Sequence, residues 1–281
     1  MNPTRIAIAV MALLPAAVSA TGFDCLIEPS QVVEIRTAVD GIIGHVHAQR
    51  GDNVRRGQPL VELQSGAERA AVESARFRAQ MEGQVASARN RIDYATKKLA
   101  RANELALQNY TSAQARDEAD AERRLAESEL QAALENRELA KIEHRRAVEQ
   151  LALRTVASPF NGVVLERTLN PGDLAEAGSG RKPVLKIAQI DPLRVDMVMP
   201  AALFGQVKVG TTATVSAIGM GARYTAKVAM VDKVIDAASG TFVARLELPN
   251  PKQDVAGGVR CMADLPGLAP LATLRPRAVS Q

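Results

Sequence analysis

The chain has 281 residues, 47% of them apolar and 23% charged, a balance that excludes an intrinsically disordered protein. Aromatics make up 3% and Trp is absent, which argues against a large aromatic-cored enzyme domain. The formal net charge of +4 is small for this length, and no basic stripe is interleaved with aromatics, so nothing points to nucleic acid as a partner.

Residues 1–20 have the anatomy of a secretory signal peptide. Arg5 precedes an apolar run from Ile6 to Val18, interrupted by Pro15, and Val18-Ser19-Ala20 puts small residues before a cut, so cleavage is expected after Ala20. As a helix the run would span about 20 Å, against the ~30 Å of a hydrocarbon core, which argues against the alternative of a retained anchor. Cys25 is not set up for lipidation, because Gly22-Phe23-Asp24 lacks the small apolar residues of a lipoprotein cleavage box. No later segment is long and apolar enough to span, and an exported, soluble mature protein is expected.

An interrupted repeat follows. Asp40-Gly41-Ile42-Ile43 is matched by Asn161-Gly162-Val163-Val164, and ten residues beyond each glycine come Gly51-Asp52 and Gly172-Asp173. Pro59-Leu60-Val61-Glu62-Leu63 then echoes Pro183-Val184-Leu185-Lys186-Ile187, displaced by an insertion around Gly178-Ser179-Gly180. Residues 32–65 and 154–190 each read as short β-branched strands punctuated by Gly, Asn and Pro. Neither half, at roughly 30 residues, can bury a core alone, so the two are expected to form one β-sandwich.

Between them, residues 66–153 contain no Pro and one interior glycine, Gly83, among Ala, Glu, Arg, Leu and Gln, all strong helix formers. Val85, Ala88, Ile92, Ala95, Leu99, Ala102 and Ala106 alternate spacings of three and four, the seam of a coiled coil. On the return segment Ala119, Ala126, Ala133, Ala140 and Ala147 recur every seven, flanked by Leu130, Leu134 and Leu151. Gln108-Asn109-Tyr110-Thr111-Ser112 breaks the pattern, and Thr111 or Ser112 suits the cap of a second helix. The expectation is two antiparallel helices of about 40 residues, each roughly 60 Å long. The alternative, one continuous rod, would keep the repeat halves apart.

Residues 191–266 return to strand-like segments: 193–199, 213–217, 224–228 and 242–248, separated by Gly and Pro, with a short helix at Ala201 to Val207. This spacing suggests a small β-barrel. The Pro-rich tail, 267–281, reads as loose.

In this order the segments resemble the HlyD-like periplasmic adaptor (membrane fusion protein) family. The resemblance is carried by Thr37-Ala38-Val39-Asp40-Gly41, by Gly51-Asp52-Asn53-Val54 through Gly57-Gln58-Pro59-Leu60, and by Ala157-Ser158-Pro159-Phe160-Asn161-Gly162. Thr241-Phe242-Val243-Ala244-Arg245-Leu246 with Pro249-Asn250-Pro251 looks like the barrel signature. What it implies is an α+β multidomain fold: a split lipoyl-like β-sandwich carrying a long antiparallel α-helical coiled-coil hairpin, followed by a small β-barrel that an early strand at 21–31 joins. It implies a non-enzymatic role in a tripartite efflux or secretion pump, in the periplasm. The partners would be an inner-membrane transporter of RND or ABC type, an outer-membrane channel, and further copies in a ring such as a hexamer. The family docks its hairpin tip on the channel with an Arg, a Leu four residues on and a Ser seven beyond, spacings met here by Arg101, Leu105 and Ser112. Pump-type members carry a further β-domain after the barrel. About 15 residues follow Pro266 here, so the transporter contact would fall to the barrel, or the transporter would be of another kind.

Export places Cys25 and Cys261 in an oxidising compartment. Because the resemblance sends the early strand into the barrel and Cys261 lies on its expected last strand, a Cys25–Cys261 bridge is a candidate.

His45 and His47 stand two apart on an expected strand and point the same way, a spacing metals tolerate, though exposed strand residues near Asp40 and Asp52 are the simpler account. Met197 and Met199 share a face likewise, with barrel-core packing set against copper binding. No Ser-His-Asp arrangement, phosphate loop or zinc motif appears, and no cofactor is expected. A swinging-arm carrier lacks its Lys, since the helices occupy the turn where that residue would sit. The remaining alternative is a periplasmic binding or sensor protein that dimerises through its hairpin.

Overall fold

The computed structural model describes residues 22–108, 110–178, 180–219 and 221–268. The expected signal peptide, and all of the expected tail beyond Leu268, lie outside them. The chain divides into two compact units, one of Val33–Ile187 and one joining the residues up to Val32 to those from Ala188 onward.

The Val33–Ile187 unit begins with β2 (Gly41–Val46), β3 (Asn53–Val54) and β4 (Pro59–Leu63) and, after the helices, has β5 (Thr155–Ala157), β6 (Gly162–Arg167) and β7 (Leu174–Ala175). Strands β5, β4, β2 and β7 lie side by side in one antiparallel sheet, and β3 pairs with β6. Ile43, Leu60 and Val61 from the first half meet Val164, Leu185 and Ile187 from the second, each no more than 1% exposed.

The sequence repeat has a physical meaning, because the two halves exchange their turns. The amide of Gly51 donates to the Val164 carbonyl and that of Gly172 to the Ile43 carbonyl, both at 2.8 Å. In return Val164 N donates to Asp52 O at 3.0 Å and Ile43 N to Asp173 O at 2.9 Å. Both glycines stand at positive φ, 93° and 94°, where a side chain would strain the backbone. Each following aspartate closes its own turn, Asp52 accepting from Gln49 N at 2.7 Å and Asp173 from Asn170 N at 2.8 Å. Asp40 and Asn161 complete the symmetry: Oδ1 of each accepts a main-chain amide of the other half, from Ala177 at 2.6 Å and Arg56 at 2.8 Å. Each half therefore leaves main-chain groups that the other satisfies.

The arm consists of α1 (Gly66–Gln80), α2 (Gly83–Leu107) and α3 (Ala113–Ala152). Ion pairs Arg78–Glu143, Glu82–Arg137, Arg91–Glu129 and Lys98–Glu122 climb one side as they descend the other, so the return helix is antiparallel. At 40 residues α3 is about 60 Å long. The seam is lined by small residues, with Ala75, Val85, Ala95, Ala119 and Ala126 at 6% exposure or less, which lets the backbones approach closely. Leu134, expected to flank the seam, is instead exposed at 37%.

The expectation of two unbroken helices is corrected on the ascending side. Met81 adopts an extended conformation (φ −64°, ψ 122°) and the helix restarts at Gly83. The cause lies in the seam phase. In α1 the inward positions are Glu68, Val72, Ala75 and Ala79, and an uninterrupted helix would next turn Glu82 or Gly83, then Ala86, inward. Val85, 2% exposed, and Ala88 face the seam instead, one residue out of step, and the opening at Met81–Glu82 resets the phase.

The other unit is a barrel of β1 (Phe23–Ile35), β8 (Leu185–Pro200), β9 (Thr212–Ala217), β10 (Arg223–Val231), β11 (Thr241–Leu248) and β12 (Val259–Asp264). The strand order is β1, β12, β9, β10, β11, β8, and a further β1–β8 pairing closes the ring. Closure removes the free sheet edges. Met197 and Met199 are fully buried in this core beside Leu193, Val195 and Leu246. The expected helix at Ala201 to Val207 is a single 3-10 turn, Ala201–Leu203. No helix among the described residues is long and apolar enough to cross a membrane.

Candidate functional site

The tip of the hairpin is where the arm ends in solvent. Helix α2 stops at Leu107, and the Tyr110 amide donates back to the Leu105 carbonyl at 2.9 Å, a loop one residue wider than an α-turn. Ser112 then caps α3: its backbone is extended and its Oγ accepts the Ala115 amide at 3.2 Å, satisfying one of the free N–H groups of the helix start. That bond uses the hydroxyl oxygen and leaves its hydrogen available to a partner.

Arg101 and Leu105, four residues apart, share a face of α2 and are both exposed. One turn before Arg101, Lys98 is engaged by Glu122, whose hydrogen bond raises the ammonium pKa, and across the tip Arg116 is paired with Asp117. Arg101 has no carboxylate partner among the described residues, so its planar fork of donors is uncommitted. The three residues singled out in sequence thus flank one turn and are all solvent-facing.

Two residues missed by that reading stand beside them. Leu107 is 86% and Tyr110 78% exposed, against 45% for Leu105, and together they add exposed apolar surface to the tip. Leu107 carries a signal in hindsight, since the seam ends at Ala106 and the next residue has nowhere to bury.

Elsewhere, Cys25 lies directly opposite Cys261 in the antiparallel β1–β12 register, with Cα atoms 4.8 Å apart and the two sulfurs joined. Among the described residues no three His, Cys, Asp or Glu side chains already converge as metal ligands would. Asp196 holds Arg194 and Arg245 on the barrel exterior, its hydrogen bond raising the Arg245 pKa, and Arg194 also reaches Glu28. This network is structural surface chemistry and offers no nucleophile.

Over residues 31–188 the chain matches the family described as the CzcB-like, barrel-sandwich hybrid domain. Among curated proteins it is 28% identical over 244 residues to the multidrug resistance protein MdtE of Escherichia coli (strain K12), covering 82% of this chain and 60% of that protein. It is 26% identical over 220 residues to the pyoverdine export membrane fusion protein PvdR of Pseudomonas aeruginosa, covering 78% and 56%. The chain therefore spans about 60% of the length of the curated relatives it matches. Of solved structures, MacA from Actinobacillus actinomycetemcomitans superposes with a TM-score of 0.73 at 22% identity, covering 87% of this chain and 77% of that one, which is a likeness of fold.

Proposed function

Because the chain belongs to the CzcB-like barrel-sandwich hybrid domain family, we propose that it is a non-enzymatic periplasmic adaptor, a membrane fusion protein bridging an inner-membrane transporter and an outer-membrane channel. PvdR is named an export membrane fusion protein, and the described fold provides what such a bridge needs: a braced base and a long stiff arm. On this reading the sandwich is lipoyl-like, the arm works as a coiled coil, and the transporter, of RND or ABC type, is met from the barrel end.

The observation that carries the proposal is the tip. Arg101 supplies uncommitted donors for carbonyls at a channel rim, Leu105 an apolar knob, and Ser112 a hydroxyl hydrogen, while Leu107 and Tyr110 widen the contact. One tip buries little area, so affinity comes from several copies acting together in a ring such as a hexamer. Export by a cleaved signal peptide brings the chain to the periplasm.

In-cell photo-cross-linking from Ala113, beside Ser112, and from Lys227 on the barrel tests this. Capture of an outer-membrane protein at the tip and an inner-membrane protein at the barrel is expected. Absence of any outer-membrane partner at the tip overturns the docking role, and a purified species that stops at a dimer favours a sensor instead.

A further inference from the structure

We propose that His45, His47 and Glu62 form a binding site for one divalent d-block cation on the solvent face of the β2–β4 pair. Alternation along β2 puts both imidazoles on one side of the sheet. The antiparallel register sets His45 directly opposite Glu62, with Val46 opposite Val61, and the His47 amide continues the ladder by donating to Leu60 O at 2.9 Å. From its diagonal position the His47 Nε2 meets Glu62 Oε1 at 3.0 Å. The His45 ring lies nearly parallel to that of His47, 9° between planes and 6.1 Å between centroids.

These separations are close to those a shared ion requires. With metal–ligand bonds of about 2 Å, neighbouring ligand atoms around a tetrahedral ion stand roughly 3.3 Å apart, and two imidazoles on one ion have centroids roughly 5–6 Å apart. The three side chains do not yet converge on a point. Closing the site takes a turn of the His45 ring about its side-chain bonds, and that ring is exposed and free to change rotamer. The 3.0 Å contact gives His47 and Glu62 each a partner but leaves His45 without a polar partner among the described residues. Two imidazoles and one carboxylate suit zinc, nickel or copper rather than magnesium or calcium, with water completing the coordination. Because His45 and Glu62 stand on paired strands and the His47 amide bonds to Leu60 O just past the end of β2, little backbone rearrangement accompanies binding. The inference is independent of the transport reading.

The test is calorimetric titration of the metal-stripped full chain with Zn²⁺, paired with the visible absorption spectrum on adding Co²⁺. One equivalent should bind, and the double variant His45→Ala/His47→Ala should weaken binding at least about tenfold. Glu62→Gln should weaken it by a smaller factor, and His144→Ala, on α3, should leave it unchanged. Far-UV circular dichroism of each variant separates lost ligands from lost fold. No saturable binding by the parent chain, or undiminished binding by the folded double variant, overturns the site.

Discussion

Arg154 pairs with Glu68 across the base of the hairpin, so the second residue past the end of α3 is tied to the first turn of α1. The same guanidinium donates to the Asp40 carbonyl at 2.9 Å, and the Arg154 carbonyl accepts the Leu63 amide at 2.8 Å. One side chain thus holds both ends of the arm and the turn before β2 together. Arg154→Ala should cost about 1–2 kcal/mol, at the low end for charged hydrogen bonds because the pair stays partly solvated. Arg154→Lys, with one compact donor group, should fall between. Chemical denaturation midpoints of the two variants and the parent decide this.

The small-residue seam predicts sensitivity to added volume. Ala126 is 2% exposed, and Ala126→Leu should push α2 and α3 apart at about 1–3 kcal/mol, whereas Ala121→Leu on the exposed side should be near neutral. Thermal melts followed by far-UV circular dichroism compare them.

At the tip, capping and docking can be separated. Ser112→Ala should lose about 1 kcal/mol of helix-end stability, while Ser112→Asp keeps an oxygen acceptor for the Ala115 amide but removes the hydroxyl donor. If the hydroxyl serves a partner, Ser112→Asp should reduce tip cross-linking without loosening α3 in hydrogen exchange. Leu107→Asp should change stability by less than about 0.5 kcal/mol, since the side chain is almost fully exposed, and still lower the cross-link yield.

For the barrel, the paired register of Cys25 and Cys261 encloses a separation of 236 residues. Replacing both with Ser should lower stability by about 2–4 kcal/mol. Melting the parent with and without reductant should reproduce the difference, and free thiols on both residues under non-reducing mass spectrometry would contradict it.

Acid should loosen one exposed turn. Asp236 accepts the amides of Ala238 at 2.8 Å and Ser239 at 3.4 Å, and these bonds hold its carboxyl below the ordinary range. Its contribution is present above the unfolded value of about 3.9 and disappears as pH falls through the lower folded one. A carbon-detected NMR titration of the Asp236 carboxyl should show the depressed midpoint, and Asp236→Asn should remove the pH dependence of the turn.

Much of this architecture is written in spacing. The Gly-Asp repeat gave away the sandwich because only glycine tolerates the φ of Gly51 and Gly172, and the seven-residue alanines marked α3 because only small side chains fit that seam. The helix opening at Met81 was not legible in the same way. Gly83 lowers helix propensity without forbidding the helix, and the one-residue phase error emerges when α1 and α2 must both face the same α3. The tip was legible at Arg101, Leu105 and Ser112 as positions, but the exposure of Leu107 and Tyr110 depends on where α2 ends, which periodicity sets to within a few residues. The Arg154–Glu68 brace spans 86 positions, beyond the reach of any local pattern.

The barrel's strands β1 and β12 are neighbours, so its wall cannot be completed until β12 has emerged. The sandwich and its arm, contained within Val33–Ile187, have everything they need earlier. Assembly of a chain delivered from its N-terminus is therefore staged: the arm can stand before the barrel shuts, and β1 must wait unpaired with β12 while everything between them is made. A premature stop between β1 and Val259 would leave that strand with an open edge, and such truncated chains should aggregate rather than persist in shortened form.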